Sequence, residues 1–374
     1  MKIYYEDSLP YADEFFSELG DSQVFSHKDV DAKRVADADV LLVRSTTKVN
    51  AQLLDLNKNI RYVGTATAGT NHLDANYLRS RGLGLHSAAG CNAVAVAEYV
   101  LSALYVMADK LDWQLTEKTV GIVGVGHVGS SLSAKLSALG IRHLLCDPPL
   151  DDTGDSRDFV DMSQIMQCDI ISLHVPLIEG GKYNTAHLFD AKRLEMLSET
   201  QLLINACRGE VVDNKALLAN FEAGKKLNVV LDVWENEPNI DQALVPFVAL
   251  ATAHIAGHTV EGKARGTEML YQQVCKQFGL SPTKKLSDYL PVPQPDSIRV
   301  DETLRGQALF SALVLSVYDI RNDSKLFKES IHQPDQFRYI RKNYSIRREF
   351  AALSVNAGNY PESEAIYALG FNRK

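Results

Sequence analysis

Residues 118–131 read Lys-Thr-Val-Gly-Ile-Val-Gly-Val-Gly-His-Val-Gly-Ser-Ser, and few short stretches restrict a fold so strongly. Val120, Ile122 and Val123 form the β-branched run of a strand buried on both faces, and Gly124, Gly126 and Gly129 follow at G-x-G-x-x-G spacing. Each glycine answers a different steric demand: a tight turn, approach of backbone to a pyrophosphate, and close packing of the next helix on the strand. The helical pattern at 128–139 would then present its free N–H groups to phosphate.

The glycine spacing alone is a weak sign, and its flanks strengthen it. A second apolar run, 143–146, ends at Asp147, 18 residues beyond Gly129. A carboxylate there accepts hydrogen bonds from an adenosine ribose and repels a 2′-phosphate. Pro148 and Pro149 follow, with no Arg directly after them to receive such a phosphate, so NAD is expected rather than NADP. The competing reading is a glycine-rich turn that only packs helix on strand; strand, turn, helix and acid in one register favour the cofactor.

At 374 residues, two or three domains are expected. The formal net charge of −8 disfavours nucleic acid or an anionic membrane as partner, because such surfaces are bound mainly through Lys and Arg. The five cysteines, Cys91, Cys146, Cys168, Cys207 and Cys275, are odd in number, far apart and without a C-x-x-C pair, as in a reducing compartment. The opening Met-Lys-Ile-Tyr-Tyr-Glu-Asp begins like a strand and not like a secretion signal, so a cytoplasmic protein is expected. The most apolar stretch, 93–108, contains Glu98 and falls short of the roughly 20 residues of a membrane span. It reads as a buried helix between domains.

Ahead of the glycine turn, strand-like pieces at 2–5, 40–43, 62–64 and 83–86 alternate with helix-like pieces at 11–19, 51–56 and 73–81. After Asp147 the rhythm resumes, with strands at 169–173, 202–204, 229–231 and 250–252. Their ends lead to His174, to Asn205 through Arg208, to Asp232 and to His254. This alternation implies parallel sheets whose ligands gather at the carboxyl ends of strands. A helix at 260–278 returns, and Pro282, Pro291, Pro293 and Pro295 mark a linker. The remainder carries a strand at 298–300, an apolar helix at 304–318 and a basic stretch at 338–348. Two hydroxyl-rich loops, Arg-Ser-Thr-Thr-Lys at 44–48 and Thr-Ala-Thr-Ala-Gly-Thr at 65–70, either grip an anion or let strand and helix pack closely, with Thr70 or Asn71 as a helix cap.

Arg208, Glu237 and His254 follow successive strands of the nucleotide-binding part, and together they suit oxidation of a 2-hydroxy acid. Arg208 can hold a carboxylate with its bidentate fork, a geometry Lys cannot copy. His254 can take the hydroxyl proton while hydride leaves the adjacent carbon, and Glu237 can orient the imidazole. Each has a duller reading: a surface cation, a loop acid beside Pro238, a core histidine. Cys207 reads as a small buried residue and not as a nucleophile. His254 and His258 are four apart, but Gly257 lies between them and Ile255 stands where H-E-x-x-H needs Glu, so no metal is expected.

With Gly124 to Gly129, Asp147, His174-Val-Pro, Asn205-Ala-Cys-Arg-Gly, Asp232-Val-Trp-Glu-Asn-Glu-Pro and His254-Ile-Ala-Gly in view, the chain resembles the D-isomer-specific 2-hydroxyacid dehydrogenases over roughly residues 1–280. The resemblance implies an α/β fold in which a Rossmann-type doubly wound nucleotide domain, 93–256, is inserted in a flavodoxin-like substrate domain, 1–92 with 257–281. A small α+β domain, 282–374, follows. It implies catalytic roles for Arg208, Glu237 and His254, and substrate contacts from Ser45, Thr67, Arg208 and His258. NAD contacts are implied from Gly124, Gly126, His127, Val128, Gly129, Asp147, His174, Val175, Pro176, Ala206, Cys207, Arg208, Asp232 and Gly257.

Further likeness lies in Cys146-Asp-Pro-Pro, in the stretch 64–70, in Ala89-Gly-Cys-Asn, in the stretch 258–267 and in the added C-terminal segment. It points to members that oxidise a small phosphorylated 2-hydroxy acid and form homodimers through that segment. The chain departs from many relatives in having Ser130 and Ser131, not a basic residue, after the third glycine, and His258 where Tyr is frequent. The substrate phosphate needs a second cationic grip, for which Arg44, Lys48 and, across a dimer, Arg347 or Arg348 are candidates. Oxidation of another 2-hydroxy acid such as 3-phosphoglycerate is the nearest alternative. A protein that only senses NAD(H) is a more distant one, disfavoured by the complete Arg, Glu and His set.

Overall fold

In the computed structural model, which describes residues 1–300, 303–358 and 360–374, the first sheet comprises β1 (Lys2–Glu6), β2 (Asp21–Phe25), β3 (Val40–Val43), β4 (Tyr62–Thr65) and β5 (His86–Ser87). All pairings are parallel, in the order β2-β1-β3-β4-β5, the flavodoxin-like arrangement. Alternation along the strands divides two cores. Ile3, Val40, Leu42 and Tyr62 face Phe15, Phe16 and the helix Val260–Phe278 through Leu270, Tyr271 and Val274. Tyr4, Leu41, Val43 and Val63 face Leu53, Leu54 and Leu78 on the other side.

Most expected elements recur here with altered bounds: the helix expected at 11–19 spans Ala12–Phe16, and the strand expected at 83–86 is β5, which shares only His86 with it. β2 is absent from the sequence reading because its Asp-Ser-Gln start is polar; as the sheet's edge it buries only Phe25 fully. The helix expected at 73–81 spans Ala75–Ser80, and the cap is Asp74, which accepts from Tyr77 N, not Thr70 or Asn71.

The second sheet comprises β6 (Thr119–Val123), β7 (Arg142–Cys146), β8 (Ile170–Leu173), β9 (Leu202–Asn205), β10 (Asn228–Leu231) and β11 (Leu250–Ala251). It is parallel throughout, in the order β11-β10-β9-β8-β6-β7. The order reverses at β6, which places the topological switch point of a doubly wound sheet at the glycine turn. A third, three-stranded parallel sheet joins β12 (Ser297–Arg299), β13 (Ser354–Asn356) and β14 (Asn372–Arg373).

By contacts the chain forms two compact units, Met1–Asn92 with Thr259–Pro291, and Ala93–His258 with Val292–Lys374. The sequence suggested a separate domain from residue 282; the structure groups the segment from Val292 with the nucleotide-binding sheet. The reason is a shared core, in which Leu309, Leu313, Val314 and Ile320 pack with Val96, Tyr99, Val100 and Leu104 of the helix Ala93–Leu111. That covering accounts for the helix's apolar character. Among the described residues no helix is long and apolar enough to cross a membrane.

Candidate active site

Strand register brings the predicted residues of the nucleotide-binding part to one edge of the second sheet. Val123 pairs with Cys146 and Leu173, Leu173 with Asn205, Asn205 with Leu231, and Leu231 with Ala251. The loops that begin at Gly124, Asp147, His174, Ala206, Asp232 and Thr252 therefore open side by side.

The three glycines meet separate demands. Gly124 has φ +86°, and a Cβ on it would lie 2.7 Å from the His174 carbonyl. A Cβ on Gly129 would lie 2.1 Å from Gly124 O, so the helix His127–Ala138 packs on the turn without a side chain between. At Gly126 a Cβ would meet nothing within 4 Å, which leaves the backbone open to a close ligand. His127 begins the helix and Val128 follows it. An open turn at the head of a 12-residue helix, beside a strand-end carboxylate, fits a dinucleotide pyrophosphate.

Asp147 accepts from Val125 N at 2.7 Å and, as a helix cap, from Leu150 N at 3.2 Å. It thus steadies the glycine turn, and its oxygens have further lone pairs for a ribose. Sequence reasoning missed Arg157. Its guanidinium donates to Val125 O (3.0 Å) and Ser130 Oγ (2.9 Å) and forks onto Asp155. A loop brings it to the residue after the third glycine, and no motif in the sequence marks that approach.

Glu237 and His254 meet directly: Oε2 lies 2.7 Å from Nδ1, while Oε1 accepts from Trp234 N at 2.9 Å. His254 has φ +56°, a left-handed conformation uncommon outside glycine. Asp232 holds the following backbone, its oxygens accepting from Ile255 N (2.7 Å), Ala256 N (2.9 Å) and Thr252 Oγ1 (2.7 Å). Asp232, expected as a cofactor contact, is 1% exposed, and its carboxylate serves the loop of His254.

Arg208 follows β9, where buried Asn205 donates to its carbonyl at 2.9 Å. One guanidinium N–H goes to Cys207 O at 2.6 Å, and the planar fork offers others. The loop is docked on that of Glu237 at Gly209, where a Cβ would lie 1.9 Å from Trp234 O. Cys207 is buried and its thiol is pushed up to about 11 by burial, which agrees with a packing role. His174 Nε2 lies 2.9 Å from Ser172 Oγ, and its buried Nδ1 has no hydrogen-bond partner among the described residues. Burial pushes its pKa down to about 3, so the ring is neutral. Val175, Ala206 and Gly257 are half-buried and Pro176 is exposed.

In the first unit, Ser45 is exposed on a loop tied down by Glu6. The fully buried Glu6 carboxylate accepts from Thr46 Oγ1 (2.5 Å), Thr47 Oγ1 (2.6 Å), Ser8 Oγ (2.5 Å) and Arg44 N (3.0 Å). Burial acts to raise its pKa, but these donors outweigh it and hold the group below the usual carboxylate range. A polar strand end was the available signal for this residue. The Thr67 hydroxyl lies 2.8 Å from Thr65 Oγ1 and donates to Gly69 O at 2.9 Å.

Among the candidates for a phosphate grip, Arg347 is corrected by the structure. It is 4% exposed, and its guanidinium donates to Ala256 O and Ala95 O. His258 sets its ring edge-on to Tyr344 at 6.0 Å. Two groups of side chains among the described residues have metal-ligand proximity, Glu6 with Asp7 and His27, and His187 with Asp213 and Glu235; His254 and His258 belong to neither.

The profile of the NAD binding domain of D-isomer specific 2-hydroxyacid dehydrogenases matches residues 95–259, and a domain of unknown function matches 289–370. The chain is 82% identical over 374 residues to an erythronate-4-phosphate dehydrogenase of Pseudoalteromonas atlantica, with all of both chains covered. It is 46% identical over 394 residues to that of Colwellia psychrerythraea, again with all of both covered. Among solved structures, it is similar to a D-lactate dehydrogenase of Aquifex aeolicus complexed with NAD and lactic acid, with TM-score 0.53, 22% identity, and 74% of this chain and 95% of that one covered. An acyclic imino acid reductase in complex with NADPH and D-Arg gives TM-score 0.62, 21% identity, and coverage of 76% and 99%. These two likenesses concern the fold.

Proposed function

Since the chain belongs to the D-isomer-specific 2-hydroxyacid dehydrogenase family, we propose that it oxidises 4-phospho-D-erythronate to 2-oxo-3-hydroxy-4-phosphobutanoate with NAD, a step in pyridoxal 5′-phosphate synthesis. The observation that carries this reading is the 2.7 Å contact of His254 Nδ1 with Glu237 Oε2. With Nδ1–H directed to the carboxylate, Nε2 is the acceptor for the C2 hydroxyl proton. Glu237 stabilises the imidazolium that results, and Trp234 N keeps the carboxylate from turning away. Arg208 forks onto the substrate carboxylate and polarises the developing carbonyl oxygen. NAD, when bound at Gly124, Gly126, Gly129 and Asp147, supplies the hydride acceptor. The C2–H bond gives up its electron pair as hydride, the O–H proton goes to His254, and the carbonyl forms.

Arg44 and Lys48, on the loop tied by Glu6, are the cations we assign to the substrate phosphate. The chain acts as a homodimer through its C-terminal segment; exposed Leu326, Tyr339 and Ile346 there support this, and sedimentation measures it. Five free cysteines support a reducing, cytoplasmic setting. The decisive experiment is NADH formation across 4-phosphoerythronate, 3-phosphoglycerate, D-lactate and D-glycerate. Preference for the first is expected, and turnover of 3-phosphoglycerate alone would replace this substrate with the alternative.

A further inference from the structure

We propose that the C-terminal segment from Val292 onward positions His254 within its own chain, with Arg347 as the main positioning residue; this rests on the reading of His254 as the base. His254 follows β11, a two-residue strand at the sheet's edge. An edge strand pairs on one side only; β7, at the other edge, does so over five residues, whereas β11 has two, so the ladder holds the end of β11 weakly. The C-terminal segment covers that edge. Ala251 N donates to Ser324 Oγ at 3.0 Å, and Lys328 Nζ donates to Val248 O and, at 3.2 Å, to Ala249 O.

Beyond His254 the same segment takes hold again. Arg347 donates to Ala256 O at 3.0 Å and to Ala95 O at 2.7 Å, with its guanidinium 3.8 Å over the Tyr318 ring. Tyr318 and Tyr344 both donate to Asp323, at 2.9 and 2.6 Å, and Tyr344 lies against the His258 ring. Residues 248–258 are thus held by the C-terminal segment on both sides of His254, and by Asp232 from within.

Two features separate this arrangement from ordinary packing. A guanidinium buried on carbonyl oxygens carries a desolvation cost that an apolar filler would not, and its fork joins two separate backbone segments, a geometry Lys does not reproduce. The backbone of His254 also sits in the left-handed region, where a non-glycine residue persists only if its surroundings over-determine it. Proton transfer is sensitive to such placement: a displacement of about 1 Å costs on the order of 10² in rate. The segment matched as a domain of unknown function thereby acquires a role in the chemistry.

The test compares full-length wild type with Arg347→Met, Arg347→Lys and Ser324→Ala. Readouts are kcat, KM, NADH affinity by fluorescence, the isotope effect with substrate deuterated at C2, and hydrogen exchange of a peptide spanning 250–258. Arg347→Met is expected to lower kcat by roughly 10²-fold, raise the isotope effect and speed exchange, with KM and NADH affinity near wild type. Arg347→Lys recovers part of kcat by holding one carbonyl, and Ser324→Ala shifts the same quantities less. Folded Arg347→Met with wild-type kcat, isotope effect and exchange overturns the proposal; if that variant does not fold, unchanged values in Ser324→Ala do so. A wild-type protein inactive on every 2-hydroxy acid would sink the substrate reading instead, and exchange would still decide the positioning.

Discussion

Glu237 Oε2 and His254 Nδ1 lie 2.7 Å apart although 17 residues separate them. The contact forms because β10 and β11 are neighbours in register, Leu231 opposite Ala251, so their loops rise together. Asp232, the first residue after β10, then accepts the backbone N–H groups that follow His254. One loop supplies both the support of the histidine's backbone and the orientation of its ring.

Replacing His254 by Gln removes the base without emptying the site. Turnover is expected to fall by about 10²–10⁴-fold, with NADH binding by fluorescence titration close to wild type. Glu237→Gln keeps the shape and loses the charge that stabilises the imidazolium, so kcat falls there too. Wild-type turnover in His254→Gln would end the proposed mechanism.

Gly209→Ala tests the junction between the Arg208 and Glu237 loops. Its Cβ would fall 1.9 Å from Trp234 O, so backbone must shift. A loss of about 1–3 kcal/mol in urea unfolding is expected, with a drop in kcat as Arg208 moves relative to the Glu237 loop. Unaltered stability and rate would show that the two loops are not packed this way.

Asp147→Ala removes an acceptor from Val125 N and the charge that repels a 2′-phosphate. NADH affinity should weaken, and the preference over NADPH should narrow, both read by titration. An unchanged affinity ratio would mean that another group reads the ribose.

The pH dependence of stability follows from His174. Its pKa falls from 6.5 to about 3 in the fold because burial disfavours the charged ring. Between those values the unfolded chain binds more protons than the native one, so stability declines as pH drops from 6.5 toward 3. His187 acts in the opposite sense, since the hydrogen bond to Glu235 raises its pKa; its stabilisation is present below 6.5 and is lost as pH rises through the folded value. It is half exposed, so solvent screening makes its contribution small. As pH drops from 6.5 toward 3, cofactor-free His174→Asn should therefore lose less melting temperature than wild type. A steeper slope in the variant would contradict the assignment.

Much of this fold was legible in the chain because parallel strands buried on both faces carry unbroken apolar runs. Val40–Val43 and the helix Val260–Phe278 appear in the structure with the bounds the pattern predicts. The glycine spacing likewise anticipated a turn, an open backbone and a close helix, since each is a local steric requirement written in one residue. β2 was hidden because an edge strand needs little apolar surface.

Local pattern determined, on its own, which residues end strands and which side chains carry the right chemistry. Tertiary structure alone decided their partners. Asp232 became a brace for the His254 loop, Arg157 came to Ser130, and Arg347 was drawn from the phosphate to two buried carbonyls. The physical reason is that a hydrogen bond depends on distance and direction in space, while sequence spacing specifies those only within one helix, strand or turn.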